Sequence, residues 1–233
     1  MTPYKPETHK NKPMVVFDVE GVIFPKNRFL VFELSGKTGF FSFIKIVFLG
    51  LLYEIGALPL ENTLKKIFQM FKGVPEIEVL EITKNIPLMP GTKEVFKKLN
   101  EKGYKTALIS SGLPTKVVEE LAVILHADYG YGIDLEVIHG LLTGKIAGEL
   151  IKKSGKAVVL NGILEAEKLT PNDCIIVADD RNNLSMFSLS KLHIGYNPDF
   201  LMTVKSDYIT RGDLTEILPP ILGKNEHVYK VKK

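Results

Sequence analysis

Two acidic segments, far apart in the sequence, each directly follow a short apolar run. Asp18 follows the run Met14–Phe17, and Glu20 comes two positions later. Asp179–Asp180 follows a second apolar run, Cys174–Ala178. Carboxylates from two separate strand ends can together hold one hard cation such as Mg²⁺. A carboxylate beside that cation can attack phosphorus, and a second one can donate and accept protons.

Hydroxyl and amine side chains add groups that bind phosphate. Ser110 and Ser111 follow the apolar run 106–109, and Lys156 stands near the start of a predicted helix. A hydroxyl, the backbone N–H groups of a helix N-terminus and a lysine can hold a phosphate. Taken singly, these residues also suit a turn, a helix cap or a surface lysine. Together with the carboxylates they form a set suited to phosphoryl transfer.

The elements that must position these residues alternate along the chain. Short apolar runs at 14–17, 106–109, 174–178 and 192–195 predict buried parallel strands, and helical patterns lie between them. This alternation predicts an α/β fold with a doubly wound parallel sheet. Ligands of such sheets bind beyond the carboxyl ends of the strands. The candidate residues follow three of these strands, so we expect them to meet at one edge.

The region after the first strand has a different pattern. Apolar spacing predicts helices over 40–53 and 60–71 and favours a third over 75–85. This segment leaves the sheet directly after the strand that carries Asp18, so it predicts a helical cap inserted over that edge. The expected division is a core of residues 14–25 and 88–222, a cap of residues 26–87, and tails of residues 1–13 and 223–233.

Four short segments form an ordered set of motifs. They are residues 15–22 (VVFDVEGV), residues 109–112 (ISSG), Lys156 and residues 177–186 (VADDRNNLSM). In this order they resemble the haloacid dehalogenase-like hydrolases, in their phosphoserine-phosphatase-like branch. The resemblance implies a Rossmann-like core and a Mg²⁺-dependent phosphatase. It also implies an aspartyl-phosphate intermediate and a small-molecule phosphomonoester as substrate.

The resemblance also implies roles for the acidic residues. Asp18 would be the nucleophile and a Mg²⁺ ligand. Glu20 would be the general acid and base, and its backbone carbonyl would bind the metal. Asp179 would be the second carboxylate ligand of the metal.

Further roles are implied for residues that face the phosphate. Ser110 would bind the transferring phosphoryl group, aided by the backbone of Ser111. Lys156 would neutralise charge between that group and the nucleophile. Asn182 would lie near the substrate, and Asn183 would take the place of an outer acidic residue of the metal site.

Two positions and one short segment depart from the pattern of that family. Glu20 stands where most members carry Asp, but the two side chains have similar reference pKa values, about 4.3 and 3.9. Asn183 removes one negative charge, which predicts weaker Mg²⁺ affinity. Lys26 and Arg28 stand where phosphoserine phosphatases carry a carboxylate for the serine ammonium. Two cations favour an anionic substrate over phosphoserine, although they also suit solvated residues of a cap hinge.

Composition limits the other classes of function. The chain has 233 residues and a formal net charge of +3, too weak to indicate nucleic-acid binding. One cysteine, Cys174, cannot form an intramolecular disulfide, which fits a reducing compartment. The polar start of the chain does not resemble a secretory signal. We therefore expect a cytoplasmic protein.

The apolar stretch 40–60 supports an alternative function. It is about as long as a membrane span but contains Lys45 and Glu54, so a buried or partner-facing helix is the preferred interpretation. Membrane contact is left open. The alternative is a catalytically weak member of the same scaffold that binds a partner or a membrane through this stretch. A phosphotransferase or mutase is a third interpretation. Oligomeric state and substrate identity are not predicted.

Overall fold

A single β-sheet organises the computed structural model, which describes residues 12–223 and 229–230. Most of the two predicted tails, 1–13 and 223–233, lies outside these described residues. The strands are β1 (Met14–Asp18), β2 (Lys105–Pro114), β3 (Tyr129–Ile138), β4 (Leu141–Ala147), β5 (Cys174–Ala178), β6 (Leu192–Tyr196), β7 (Tyr208–Thr210) and β8 (Tyr229–Lys230).

The sheet is mostly parallel, in the order β4-β3-β2-β1-β5-β6-β7-β8. β1 lies at its centre and pairs in parallel with β2 on one side and β5 on the other. The edge pairs β3–β4 and β7–β8 are antiparallel. Every residue of β1 and β5 is buried, because helices cover both faces of a parallel sheet. The predicted α/β fold is confirmed.

Helices connect and cover these strands. They are α1 (Leu30–Thr38), α2 (Phe40–Glu54), α3 (Leu60–Gln69), α4 (Glu76–Lys84), α5 (Thr92–Glu101), α6 (Thr115–Leu125), α7 (Gly155–Glu167), α8 (Phe200–Lys205) and α9 (Leu218–Ile221). Helices α1 to α4 form a run between β1 and α5, in the segment predicted as the cap. Within it, α1 packs against α2 and α4, α2 packs against α3, and α3 reaches β4. The exact domain boundaries stay predictions.

The cap and the core each bury aromatic rings. In the core, the rings of Phe17 and Phe96 lie 4.7 Å apart, joining β1 to α5. In the cap, the rings of Phe68 and Phe71 meet edge to face at 5.8 Å, and both side chains are fully buried. Within the described part of the chain, no helix has the length and apolar character that a membrane crossing requires.

Two local features and one corrected expectation complete the fold. Gly144, with a φ of +85°, is part of β4 and lies beside α3. A 3-10 turn, Leu214–Ile217, precedes α9. The second strand was expected to end at 109. It extends to Pro114 because its pairing with β3 resumes after a register shift between Ile109 and Pro114.

Candidate active site

The register of the central strands brings the candidate residues to one edge of the sheet. Asp18 ends β1 and lies opposite Ile109 of β2. Ile109 directly precedes Ser110 in the sequence. On the other side of β1, β5 ends at Ala178, directly before Asp179. Parallel strands place their carboxyl ends at the same edge. Three segments distant in sequence therefore meet around the Asp18 carboxylate.

The Asp18 carboxylate is held by three donors. Its Oδ1 accepts hydrogen bonds from the backbone N–H of Val19 at 2.7 Å and from Lys156 Nζ at 2.8 Å. Its Oδ2 accepts from Asn183 Nδ2 at 2.5 Å. The side chains of Asp18 and Lys156 are only 7% and 3% exposed, so this ion pair is shielded from water. A buried charge needs such partners, and here they also fix the orientation of the carboxylate.

Asn183 links the lysine to two carboxylates. Its Oδ1 accepts from Lys156 Nζ at 2.8 Å, and its Nδ2 donates to Asp180 Oδ1 at 2.9 Å as well as to Asp18. An amide can accept and donate at once, whereas an ionised carboxylate at this position can only accept. The geometry thus gives a reason for an amide at a position where the family pattern has an acid. The expected weakening of Mg²⁺ affinity stays a prediction.

Three carboxylates form a cluster suited to a metal ion. Asp18, Asp179 and Asp180 each offer an oxygen within 4.8 Å of the others. Burial, followed by the charge of Asp18, raises the pKa of Asp179 to about 8 and that of Asp180 to about 6. Oδ1 of Asp179 is buried without a hydrogen-bond partner among the described residues. A divalent cation would relieve the repulsion and bind the unpaired oxygen, so these residues fit the implied metal.

Asp180 is the residue that the sequence motifs missed. In the sequence, Asp180 appears only as the second acid of a pair. Because successive residues of a strand point to opposite sides, the sequence did not predict that both acids join one cluster. The chain turns there instead. Asp180 is the N-cap of a 3-10 helix, Arg181–Leu189, and accepts from the backbone N–H of Asn182 at 3.0 Å. The start of this helix, directly after Asp180, turns Asp180 back toward the cluster.

Glu20 lies beside Asp18, the predicted nucleophile, with its carboxyl group desolvated. Burial, followed by the negative charge of Asp18, raises the pKa of Glu20 from 4.5 to about 8, against the opposing effect of Lys156. A carboxyl with that pKa is largely protonated near neutral pH and can donate a proton. A Cβ added at Gly112 would overlap the Glu20 carboxyl group. Glycine at this position therefore makes room for the predicted general acid.

The two serines lie in the irregular part of β2. The buried Ser110 Oγ accepts from the backbone N–H groups of Gly112 at 3.1 Å and Leu113 at 2.9 Å. Because both bonds use its oxygen, its hydroxyl hydrogen is left to donate to a ligand. Ser111 Oγ is also buried, and it has no hydrogen-bond partner among the described residues. Both hydroxyls are thus compatible with the predicted binding of a phosphoryl group.

A pocket lies between the strand ends and the cap. Its core side is lined by Asp18, Glu20, Ser111, Gly112, Lys156, Asp180 and Asn182. Its cap side is lined by Phe29, Val31, Tyr53, Leu60, Leu64 and Ile67. The charged groups of this lining all come from the core, while the cap contributes apolar side chains and one phenol. Asn182 thus lies where a substrate would be expected.

The family match decides how this geometry is classified. Residues 15–188 match the haloacid dehalogenase-like hydrolases. The chain belongs to this family. The expected resemblance is therefore confirmed.

Curated relatives of this haloacid dehalogenase-like hydrolase include two archaeal phosphoserine phosphatases. The one from Archaeoglobus fulgidus is 32% identical over 199 residues, which cover 84% of this chain and 56% of the relative. The chain thus spans about half the length of that protein. The one from Methanocaldococcus jannaschii is 29% identical over 210 residues, covering 90% of this chain and 97% of the relative.

Solved structures agree with these relatives. A phosphoserine phosphatase with an analogue of the phospho-aspartyl intermediate is 28% identical, with a TM-score of 0.81 over 91% of this chain and 99% of that one. A substrate-bound phosphoserine phosphatase is 27% identical, with a TM-score of 0.82 over the same shares. The phosphoserine-phosphatase-like branch and the enzyme class, a phosphatase, are confirmed.

The two cations expected to attract an anionic substrate are engaged with carboxylates in this hydrolase. Lys26 Nζ lies 2.8 Å from Asp179 Oδ2, and Arg28 pairs with Glu33. Neither cation is part of the lining of the pocket. The structure thus places Lys26 at the acidic cluster and Arg28 within the cap, and their proposed role in substrate choice stays a prediction.

Arg181 joins the acidic loop to the cap. Its guanidinium donates to the backbone carbonyl of Tyr53 at 2.6 Å and lies over the ring of Tyr53, 4.9 Å from its centroid. Tyr53 also lines the pocket. The loop that carries Asp179 and Asp180 therefore holds the cap helix α2 directly. The motif resemblance assigned no role to this arginine.

Proposed function

We propose that this hydrolase is a Mg²⁺-dependent phosphatase of small phosphomonoesters, with Asp18 as the residue that is phosphorylated. The observation that carries the proposal is the Asp18 carboxylate, held by Val19, Lys156 and Asn183 beside Glu20, whose pKa is raised to about 8 chiefly by burial. A nucleophile and an acid with a raised pKa in one pocket are the pair that phosphomonoester cleavage needs. The alternative of a catalytically weak binding protein is not favoured, because neither group is missing.

In the first step, an Asp18 oxygen attacks phosphorus and the ester P–O bond breaks. The leaving oxygen takes the proton of Glu20 and departs as the alcohol. Lys156 lies 2.8 Å from Asp18 and would offset charge on the transferring group. Ser110 and Ser111 would donate hydrogen bonds to its non-bridging oxygens.

In the second step, the Glu20 carboxylate takes a proton from water. The water oxygen attacks phosphorus and the bond to Asp18 breaks, which releases inorganic phosphate and restores both side chains. Asp18, Asp179 and Asp180 would hold the Mg²⁺. When bound, that cation would supply positive charge beside the phosphoryl oxygens.

We propose further that phosphoserine is not the main substrate, although the relatives carry that name. Among the side chains that the structure describes, the cap wall of the pocket offers no carboxylate to a serine ammonium, and Tyr53 is its one polar side chain. This lining supports a phosphomonoester of an alcohol that lacks an ammonium group, in keeping with the expected preference against phosphoserine.

The test of the reaction is phosphate release from p-nitrophenyl phosphate by wild type and Asp18→Asn, each with Mg²⁺ and with EDTA. We expect Mg²⁺-dependent release in wild type and a loss of about 10⁴-fold or more in the variant, since removing a nucleophile has such effects. Glu20→Gln should accumulate phosphoenzyme, detected by intact mass. An Asp18→Asn protein with wild-type turnover would overturn the mechanism.

The substrate class needs a separate comparison. Phosphoserine, glycerol phosphate and phosphoglycolate would be compared by kcat/KM under identical Mg²⁺ conditions. We expect the two esters without an ammonium to exceed phosphoserine. A higher kcat/KM for phosphoserine would contradict the substrate proposal and leave the mechanism intact.

A further inference from the structure

The outer side of α2 is an apolar surface that the proposed reaction does not use. We define the outer face of α2 as the solvent-exposed side chains of Phe40, Phe41, Phe43, Ile44, Val47, Phe48 and Leu51, which are between 41% and 85% exposed. Phe43 lies at one margin of this face and Lys45 at the other. Between Phe40 and Tyr53, Lys45 is the only charged residue of the sequence.

The area of this face is comparable to the largest apolar patch that a typical monomer exposes. Four phenylalanines, Phe40, Phe41, Phe43 and Phe48, are 41–85% exposed. If each ring side chain offers about 200 Å², these four alone expose about 500 Å². The largest apolar patch of a typical monomer is about 300–600 Å² in total, and patches of this size often mark interaction sites. The aliphatic residues of the same face enlarge it further.

The width of the face indicates what kind of surface covers it. At about 100° per residue, the exposed apolar side chains from Phe43 to Phe41 span an arc of about 160°. A helix that packs on one neighbour needs a stripe of about 100°, and a coiled-coil seam is narrower. The opposite side of α2, with Ile46 and Leu49, is already buried against the rest of the cap. A broad convex apolar arc suits a deformable lipid surface better than a single partner helix.

Charge at the end of α2 favours an anionic surface. A groove beside this end is lined by Tyr53 and Gly56 and by Leu201 of α8. Among the described residues, Lys152, Lys153 and Arg181 also line this groove, against Glu61 in the same lining and Glu149, which pairs with Lys152. α8 adds the exposed side chains of Phe200, at 84%, and Val204, at 51%. Apolar groups next to an excess of cations are the combination that binds anionic membrane interfaces.

We propose that the outer face of α2 docks this phosphatase on the surface of an anionic lipid bilayer. The helix lies in the interface without crossing it. Tyr53, on the inner side of the same helix, lines the active-site pocket. Docking would therefore hold the pocket about one helix diameter, roughly 10 Å, from the lipid surface.

The experiment is co-sedimentation of the full chain with vesicles of phosphatidylcholine containing phosphatidylglycerol, and with vesicles of phosphatidylcholine alone. The test variant is Phe41→Ser with Phe48→Ser. The matched control is Val123→Ser with Ile124→Ser, which removes two exposed apolar side chains, 75% and 53% exposed, from α6. Sedimentation velocity without vesicles measures self-association of each protein.

We expect wild type and the α6 control to bind the anionic vesicles, more weakly in high salt. The α2 variant should bind about tenfold less or worse, because it loses two aromatic side chains from the interface. Its thermal midpoint and its turnover of a soluble phosphomonoester should stay unchanged. Absence of wild-type binding, or equal binding by the α2 variant, would overturn the proposal. So would a wild-type dimer that ignores vesicles and dissociates in the variant, since a second copy would then cover the face. Vesicle binding and sedimentation velocity do not depend on whether the enzyme is active.

Discussion

The core and the cap line the same pocket with opposite kinds of side chains. The core presents Asp18, Glu20, Lys156 and Asp180, whereas the cap presents apolar side chains and Tyr53. The strand ends thus concentrate charge where bonds are made and broken. The cap lowers the dielectric around that charge and shapes the space for the leaving group. Reaction chemistry and substrate choice are therefore assigned to different parts of the chain and should respond to different mutations.

The largest effect in this comparison should come from Gly112→Ala, on the core side. Its Cβ would overlap the Glu20 carboxyl group and displace the predicted proton donor. A displacement of about 1 Å in a catalytic group can cost about 100-fold, so we expect kcat to fall by that order. Gly162→Ala in α7, with no atom within 4 Å of the added Cβ, is the matched control. Wild-type kcat in Gly112→Ala would show that the position of Glu20 does not matter.

A smaller effect should come from Asp180→Asn, which tests the metal site. Asparagine keeps the N-cap of the 3-10 helix but removes one negative charge from the cluster. We expect Mg²⁺ affinity, measured by calorimetry without substrate, to fall about tenfold. Turnover should recover when Mg²⁺ is raised to saturation. Unchanged affinity would mean that Asp18 and Asp179 hold the ion without Asp180.

The smallest effect should come from Arg181→Ala, which separates the two regions. It removes the hydrogen bond and the ring contact to Tyr53, each worth about 1 kcal/mol. We expect KM to rise about threefold to fivefold with kcat nearly constant, because the cap would close less tightly while the chemistry is intact. Arg211→Ala, at an exposed position, is the control. A fall in kcat at constant KM would place Arg181 in the chemistry instead of the cap.

Much of the core was predictable because its signals are local. The fully buried runs around Phe17 and Val177 could only be strands covered on both faces, and they proved to be β1 and β5. The residue after each run then had to lie at the ligand-binding edge. The role of Asp180 could not be predicted in this way, since it depends on a turn that places two neighbouring carboxylates on the same side.

The cap was harder to interpret from sequence. The apolar character of α2 predicts a helix, but it does not say which side is buried. Only its packing against α1 and α3 shows that Ile46 and Leu49 face inward while Phe41 and Phe48 face solvent. The pairing of Arg28 with Glu33 and of Lys26 with Asp179 likewise depends on contacts between segments whose distance in space the sequence does not state.

By itself, the sequence determined the α/β class, the family and the acids and hydroxyls at the strand ends. Those follow from periodic burial and from motif spacing, which are properties of short segments. The tertiary structure decided that Asn183 bridges Lys156 to two carboxylates and that the pKa of Glu20 is raised to about 8. It also decided which side of α2 is left exposed. Hydrogen-bond partners, desolvation and exposure depend on groups brought together from distant parts of the chain.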